Sequence, residues 1–441
     1  DNNTAVGHSA LIANTTGTQN VAVGKSALGT NTTASYNTAI GDQALLDNTT
    51  GTQNVAVGHA SLFENTTGNC NIGIGNSSLR NNTTASGNTA IGMSALQANQ
   101  TGTNNVAVGY LALQDNTGSS NTAVGGEALT QNTSGAYNAA FGFEALKLNT
   151  TAQNNSAFGV CALKANTTGA RNTAVGKGSL VANTTASDNV AMGEGSMQSN
   201  TTGADNVALG VNALANNTTA SNNTAVGRNS LVANTTGGNN TAVGLCSLSA
   251  NTTAIDNTTL GSSSLRNNTT GGRNVSLGYI SLYTNTTGCC NVAVGRQALY
   301  YNTTADNNTA VGNNALFNNT TAGNNTAVGV SSLQANTTGT NHVALGYIAL
   351  CSNTTGIANV GIGTNTFRAV TTGGDNTGVG SNVGLDLTTG DNNTFIGHDA
   401  GRSSSPSGTI TTASNRIVLG NNSVTNAYIR VAWTVTSDLR D

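Results

Sequence analysis

The 441-residue chain has one proline, Pro406, one tryptophan, and very little charge: 15 Lys+Arg against 18 Asp+Glu, or 7% of all residues. A formal net charge of −3 supplies no basic field to hold nucleic acid or an anionic membrane surface, so neither is expected as a partner. No run of 18 apolar residues occurs, which excludes an ordinary membrane-spanning helix. The six cysteines, Cys70, Cys161, Cys246, Cys289, Cys290 and Cys351, have no metal-ligand spacing. Cys161 and Cys246 are five repeat units apart, roughly 24 Å at ~4.8 Å per unit and beyond disulfide reach within one chain. His8, His59, His342 and His398 are equally scattered and read as surface residues. Paired carboxylates, a nucleophile elbow and a phosphate loop are all missing, so the expectation is a non-enzyme with no cofactor and no metal. The opening segment, Asp1-Asn2-Asn3-Thr4-Ala5-Val6-Gly7, has no signal-peptide pattern and reads as the cut end of a longer protein.

What is present is repetition. A marker glycine stands at Gly7, Gly24, Gly41, Gly58, Gly75, Gly92 and Gly109, then after one sixteen-residue step at Gly125, and every seventeen residues from there to Gly397, giving 24 marked units. A fixed short period means stacked, near-identical supersecondary units. Abundant Asn, Thr and Gly suggests disorder by composition, but aliphatic positions in strict register have no use in a disordered chain.

Each unit opens with a short extended run such as Val21-Ala22-Val23 or Thr89-Ala90-Ile91. Alternation puts Val21 and Val23 on one face and Ala22 on the other, where the small side chain allows close approach; both faces are expected to be covered. Two variable residues follow the glycine, as at Lys25-Ser26 and Asp42-Gln43, and mark the exposed face. Then come Ala-Leu or Ser-Leu, as at Ala27-Leu28 and Ser61-Leu62, with Leu as the second apolar anchor. Asn-Thr-Thr-Gly or Asn-Thr-Thr-Ala makes a turn, as at Asn48-Thr49-Thr50-Gly51, since Asn tolerates left-handed angles and Gly accepts positive φ. Stacked units place Asn over Asn, so amide ladders are expected along the axis. The fold class is therefore an all-β parallel solenoid or β-roll of about 24 coils of 17 residues, with residues 1–397 as shaft, 398–435 as a C-terminal capping and transition segment, and 436–441 as the start of another domain. Two large aliphatics per coil, at roughly 1.5–3 kcal/mol each, fall short of backbone ordering at ~1–2 kcal/mol per residue. Several chains sharing a core between their Val and Leu rows, preferably three, are expected to make up the difference.

The run Asn-Val-Ala-Val-Gly at Asn20 to Gly24 and Asn105 to Gly109 resembles the head repeats of trimeric autotransporter adhesins, which are left-handed parallel β-rolls assembled as trimers. The whole unit, Asn-Thr-Ala-Val-Gly through Ala-Leu to Asn-Thr-Thr-Gly, resembles the shaft repeats of bacteriophage and large-virus tail fibres. Thr436-Ser437-Asp438-Leu439-Arg440 is similar to the opening of the endosialidase-type intramolecular chaperone domain, whose Ser-Asp-x-Arg-x-Lys serine attacks its own chain. Ser437, Asp438 and Arg440 match; the lysine would be residue 442. The resemblance implies left-handed coils in a homotrimer, a virion location, contacts with other virion proteins and a host cell-surface receptor, and autocleavage at Ser437. A cellular surface adhesin or extracellular filament is the alternative function. Ice binding by stacked threonines is a third, although in Thr15-Thr16 and Thr49-Thr50 only one of each pair can face a given side.

One stretch offers a binding patch. Tyr283, Tyr300 and Phe317 each follow their glycine by five residues in consecutive units, with Tyr279 and Tyr301 nearby. Such aromatics either hold sugar rings or pack on one another and stiffen the stack. Asn-Thr-Thr also matches a glycosylation sequon, but turn chemistry is the expected role.

Overall fold

The structure, a computed structural model, describes residues 2–426. It is all-β, with three-residue parallel strands spaced at the sequence period. The chain divides into two compact units, Asp1–Gly272 and Arg273–Asp441. The first carries β1 (Thr4–Val6), β2 (Val21–Val23), β3 (Thr38–Ile40) and so on to β16 (Thr258–Leu260); the second carries β17 (Val275–Leu277) through β25 (Ile417–Leu419). Within each unit every strand pairs in parallel with the next one along the chain, as a rule seventeen residues on: Val21↔Thr38, Ala22↔Ala39 and Val23↔Ile40 in the first, Val292↔Thr309, Ala293↔Ala310 and Val294↔Val311 in the second, where the last pairing, Thr394↔Ile417, spans a longer coil. The short unit ending at Gly125 keeps this register, with Val106 opposite Thr122.

Pairing does not stop at the strands. Val21 N–H donates to the Asn37 carbonyl (2.9 Å), Gly24 N–H to Val6, Leu28 N–H to Ala44 and Thr49 N–H to Thr66 (3.0 Å), so coil-to-coil bonds run all round the section. That is how a chain with so little strand satisfies its buried backbone.

The core is built from the small strand residue and the Ala-Leu pair. Ala22, Ala39 and Ala56, with Ala27, Ala44, Leu28, Leu45 and Leu62, are wholly buried. The outer strand residues are not: Val21 and Val23 are half-buried, and Ile40 is 41% exposed. Within one chain, then, a single strand face is covered, and the expectation that Leu is shared between chains is corrected. Leu sits entirely inside its own coil, against the alanine row, and the β-branched row faces out.

The turns place non-glycine residues at left-handed angles in every regular coil, as at Gln43 (φ 60), Leu45 (φ 54) and Gln53 (φ 59). Left-handed backbone costs roughly 1–2 kcal/mol per residue and is hardest on β-branched side chains. The leucine position accordingly holds Leu, Met197 (φ 50), Phe367 (φ 50) or glycine.

Two asparagine ladders close the section. In the turn ladder Asn48 Nδ2 donates to Asn31 Oδ1 (3.0 Å) and to the Gly51 carbonyl (2.9 Å), and Asn65 Nδ2 donates to Asn48 Oδ1 (2.9 Å). In the ladder before the strands, Asn37 N–H donates to Asn20 Oδ1 (3.0 Å) while Asn37 Nδ2 reaches the Gly51 carbonyl (2.9 Å). All of these asparagines are fully buried. The amide nitrogens of the sequons are thus already committed inside the coil, which supports turn chemistry as their role.

Candidate functional site

Inside a rigid repeat only outward positions are free to vary in chemistry, so candidate sites lie on three surface strips. The first is the aromatic group of the second unit. Tyr283 and Tyr300 stack at 5.3 Å with ring planes 3° apart, Tyr300 and Phe317 at 5.3 Å and 17°, and Tyr301 meets both Tyr300 and Phe317 edge-on at 84° and 81°. The seventeen-residue register creates this ladder, because each ring sits one coil spacing from the next. Burial, with smaller contributions from Tyr301, Tyr283 and Tyr279, pushes the Tyr300 hydroxyl above its usual range. Both faces of Tyr300 are occupied by other rings, so no sugar can lie on it. Tyr279 and Tyr301, 53% and 44% exposed, are the rings with surface to offer. Self-packing is the arrangement observed for Tyr283, Tyr300, Tyr301 and Phe317; Tyr279 stands beside them without a ring contact.

Sequence reasoning missed a charge cluster in the first unit. Lys147 Nζ lies 2.5 Å from Glu127 and 2.7 Å from Glu144, and Lys164 Nζ lies 2.6 Å from Glu144. Hydrogen bonds from Lys147 and Lys164 hold the Glu144 carboxyl down to about 2, and burial pushes the neighbouring Cys161 thiol up. The signal was present: the glutamates follow their glycines by two residues and the lysines by five, positions that stacking makes adjacent. All six cysteines are free, and among the described residues no group of three His, Cys, Asp or Glu side chains is placed to hold a metal ion.

His342 contradicts the surface reading. It is 1% exposed and occupies a rung of the ladder before the strands, where neighbouring coils have Asn325 and Asn359. Its backbone N–H donates to Asn325 Oδ1 (3.0 Å), and Asn359 N–H donates to its Nδ1 (3.1 Å). Burial lowers its pKa to about 4. Histidine fits because Nδ1 presents an acceptor much where the asparagine oxygen would be. The other three histidines, His8, His59 and His398, are exposed, as expected.

The outer strand row is the third strip. Ile74, Ile91, Phe158, Val175 and Met192 in the first unit, and Val328, Ile362, Val379 and Ile396 in the second, are 36–45% exposed. Phe141 and Phe158 stack at 4.8 Å along it. A contiguous exposed apolar surface of this kind marks an interaction face. Ser437, with Asp438 and Arg440, lies outside the described residues. Among the described residues no helix is long and apolar enough to cross a membrane. In comparison with known proteins, no family model matches the chain and no curated protein is significantly similar to it.

Proposed function

We propose that the chain is the structural and adhesive shaft of a viral tail fibre, a homotrimer that holds a receptor-binding end towards a host cell surface. The observation that supports this reading most is the outer strand row. Each unit stacks coils in a fixed register, its own core is complete with Ala and Leu, and a β-branched strip is left facing out. Covering that strip with two further copies would bury the apolar surface that a single chain leaves open. Tyr279 and Tyr301 are the residues we assign to contact with a host glycan, through open ring faces. Native mass measurement tests the assembly: about three times the 43.9 kDa chain mass is expected, and a chain that stays monomeric at micromolar concentration rules the trimer out. For the terminal site, a gene extended beyond Asp441 and its Ser437→Ala version are compared on a denaturing gel. Loss of a C-terminal fragment from the unaltered chain alone supports self-cleavage; intact chains in both remove it and leave the fibre reading standing.

A further inference from the structure

We propose that His342 is an acid-labile rung: a second proton on its ring breaks the asparagine ladder between Asn325 and Asn359 and opens the stack locally at that coil. The structure sets up the switch through hydrogen-bond direction. Asn359 N–H can only donate, so the Nδ1 it meets at 3.1 Å must carry a lone pair, and the neutral ring keeps its hydrogen on Nε2. There the Gly356 carbonyl is the acceptor; Asn353 Nδ2, 3.0 Å from the same nitrogen, is itself a donor and gives the neutral ring no hydrogen bond. Protonating Nδ1 sets donor against donor, removes the bond to Asn359 and leaves a buried cation.

Nothing nearby compensates that charge. The groups facing the ring are the amides of Asn325, Asn353 and Asn359 and the Gly356 carbonyl, and neither a carboxylate nor a cation contributes to its proton balance. The coil is also less well tied than its neighbours. Asn353 Nδ2 donates down the turn ladder to Asn336 (3.0 Å), but the next rung is Val370, and Asn353 Oδ1 is buried without a partner. Both ladders are therefore altered within two coils of each other.

The sign follows from linkage. The ring is harder to protonate folded (about 4) than in a free chain (6.5), so the open form binds the proton first and stability falls as pH drops from about 6.5 towards 4. At pH 5 the opening equilibrium around this coil is raised about 20-fold over pH 7. The experiment is amide hydrogen exchange on the full chain at pH 7.5 and pH 5.0, corrected for intrinsic rates, comparing wild type with His342→Asn, which restores the usual rung. Expected is faster exchange at pH 5.0 in peptides covering residues 342–362 of the wild type and none of that increase in H342N. A second variant, Asn240→His, moves the same rung into the first unit and is expected to create acid-dependent opening around residues 240–260. An equal pH response in wild type and H342N, or none in either, overturns the proposal.

Discussion

The marker glycine answers to two constraints at once. At Gly58 φ is +125°, and an added Cβ would lie 2.7 Å from the Gly75 carbonyl oxygen, so both backbone strain and contact with the next coil oppose any side chain. Gly58→Ala is expected to cost at least about 2–3 kcal/mol in a thermal melt. Gly178, with φ +65° and nothing within 4 Å of an added Cβ, meets only the strain; its alanine variant is expected to lose about 1 kcal/mol. Core exchange gives a second test at this scale. Phe367 replaces the usual leucine, and the facing strand position in the next coil has shrunk from Ala to Gly378, where a Cβ would sit 2.6 Å from the ring. Gly378→Ala alone is expected to destabilise by about 1–3 kcal/mol through overpacking, and Phe367→Leu in the same chain to recover most of it. Additive losses in the double variant would show that the two positions do not share one space.

The elements are held as much by side-chain ladders as by strands. Asn48 joins three partners, Asn31, Gly51 and Asn65. Its replacement by alanine is expected to cost about 2–3 kcal/mol, because Asn31 Oδ1 and Asn65 Nδ2 lose bonds in a place water does not reach. Denaturant melts read this directly, and a loss below about 0.5 kcal/mol would mean the ladder contributes little. The charge cluster behaves differently. Glu144 has its folded pKa lowered from 4.5 to about 2, so its contribution is complete above pH 4.5 and disappears as pH falls towards 2. The Glu144 and Lys164 side chains are 13% and 37% exposed, and screening at the surface limits the effect to about 1 kcal/mol. Glu144→Gln is expected to melt lower than wild type at pH 7 and to match it near pH 2. A difference that persists unchanged at pH 2 would assign the effect to packing.

For the whole molecule the deciding feature is the exposed outer strand row. Ile74 and Ile91 are 38% and 39% exposed, so Ile74→Lys with Ile91→Lys leaves each coil's own core intact while placing charge on that strip. On the proposed trimer, the double variant is expected to keep its β-sheet circular dichroism and to have the mass of one chain where the unaltered protein has that of three. A mass that does not change would place the contact between copies elsewhere.

Much of this was legible from the repeat itself. A period of seventeen determines which residues stack, and so it determined the parallel register, the asparagine ladders and the aromatic stack of Tyr283, Tyr300 and Phe317. The glutamate and lysine pairs of residues 127–164 were within reach of the same argument. What periodicity cannot supply is direction across the section. Alternation separates Val21 and Val23 from Ala22 but does not say which side is inside; the tertiary structure decides for alanine, because the narrow interior opposite Leu28 and Leu45 has room only for the small side chain. His342 was misread for a related reason. A residue type that is usually exposed revealed nothing of its burial until its place in the ladder showed that an imidazole nitrogen does there the work of an asparagine oxygen.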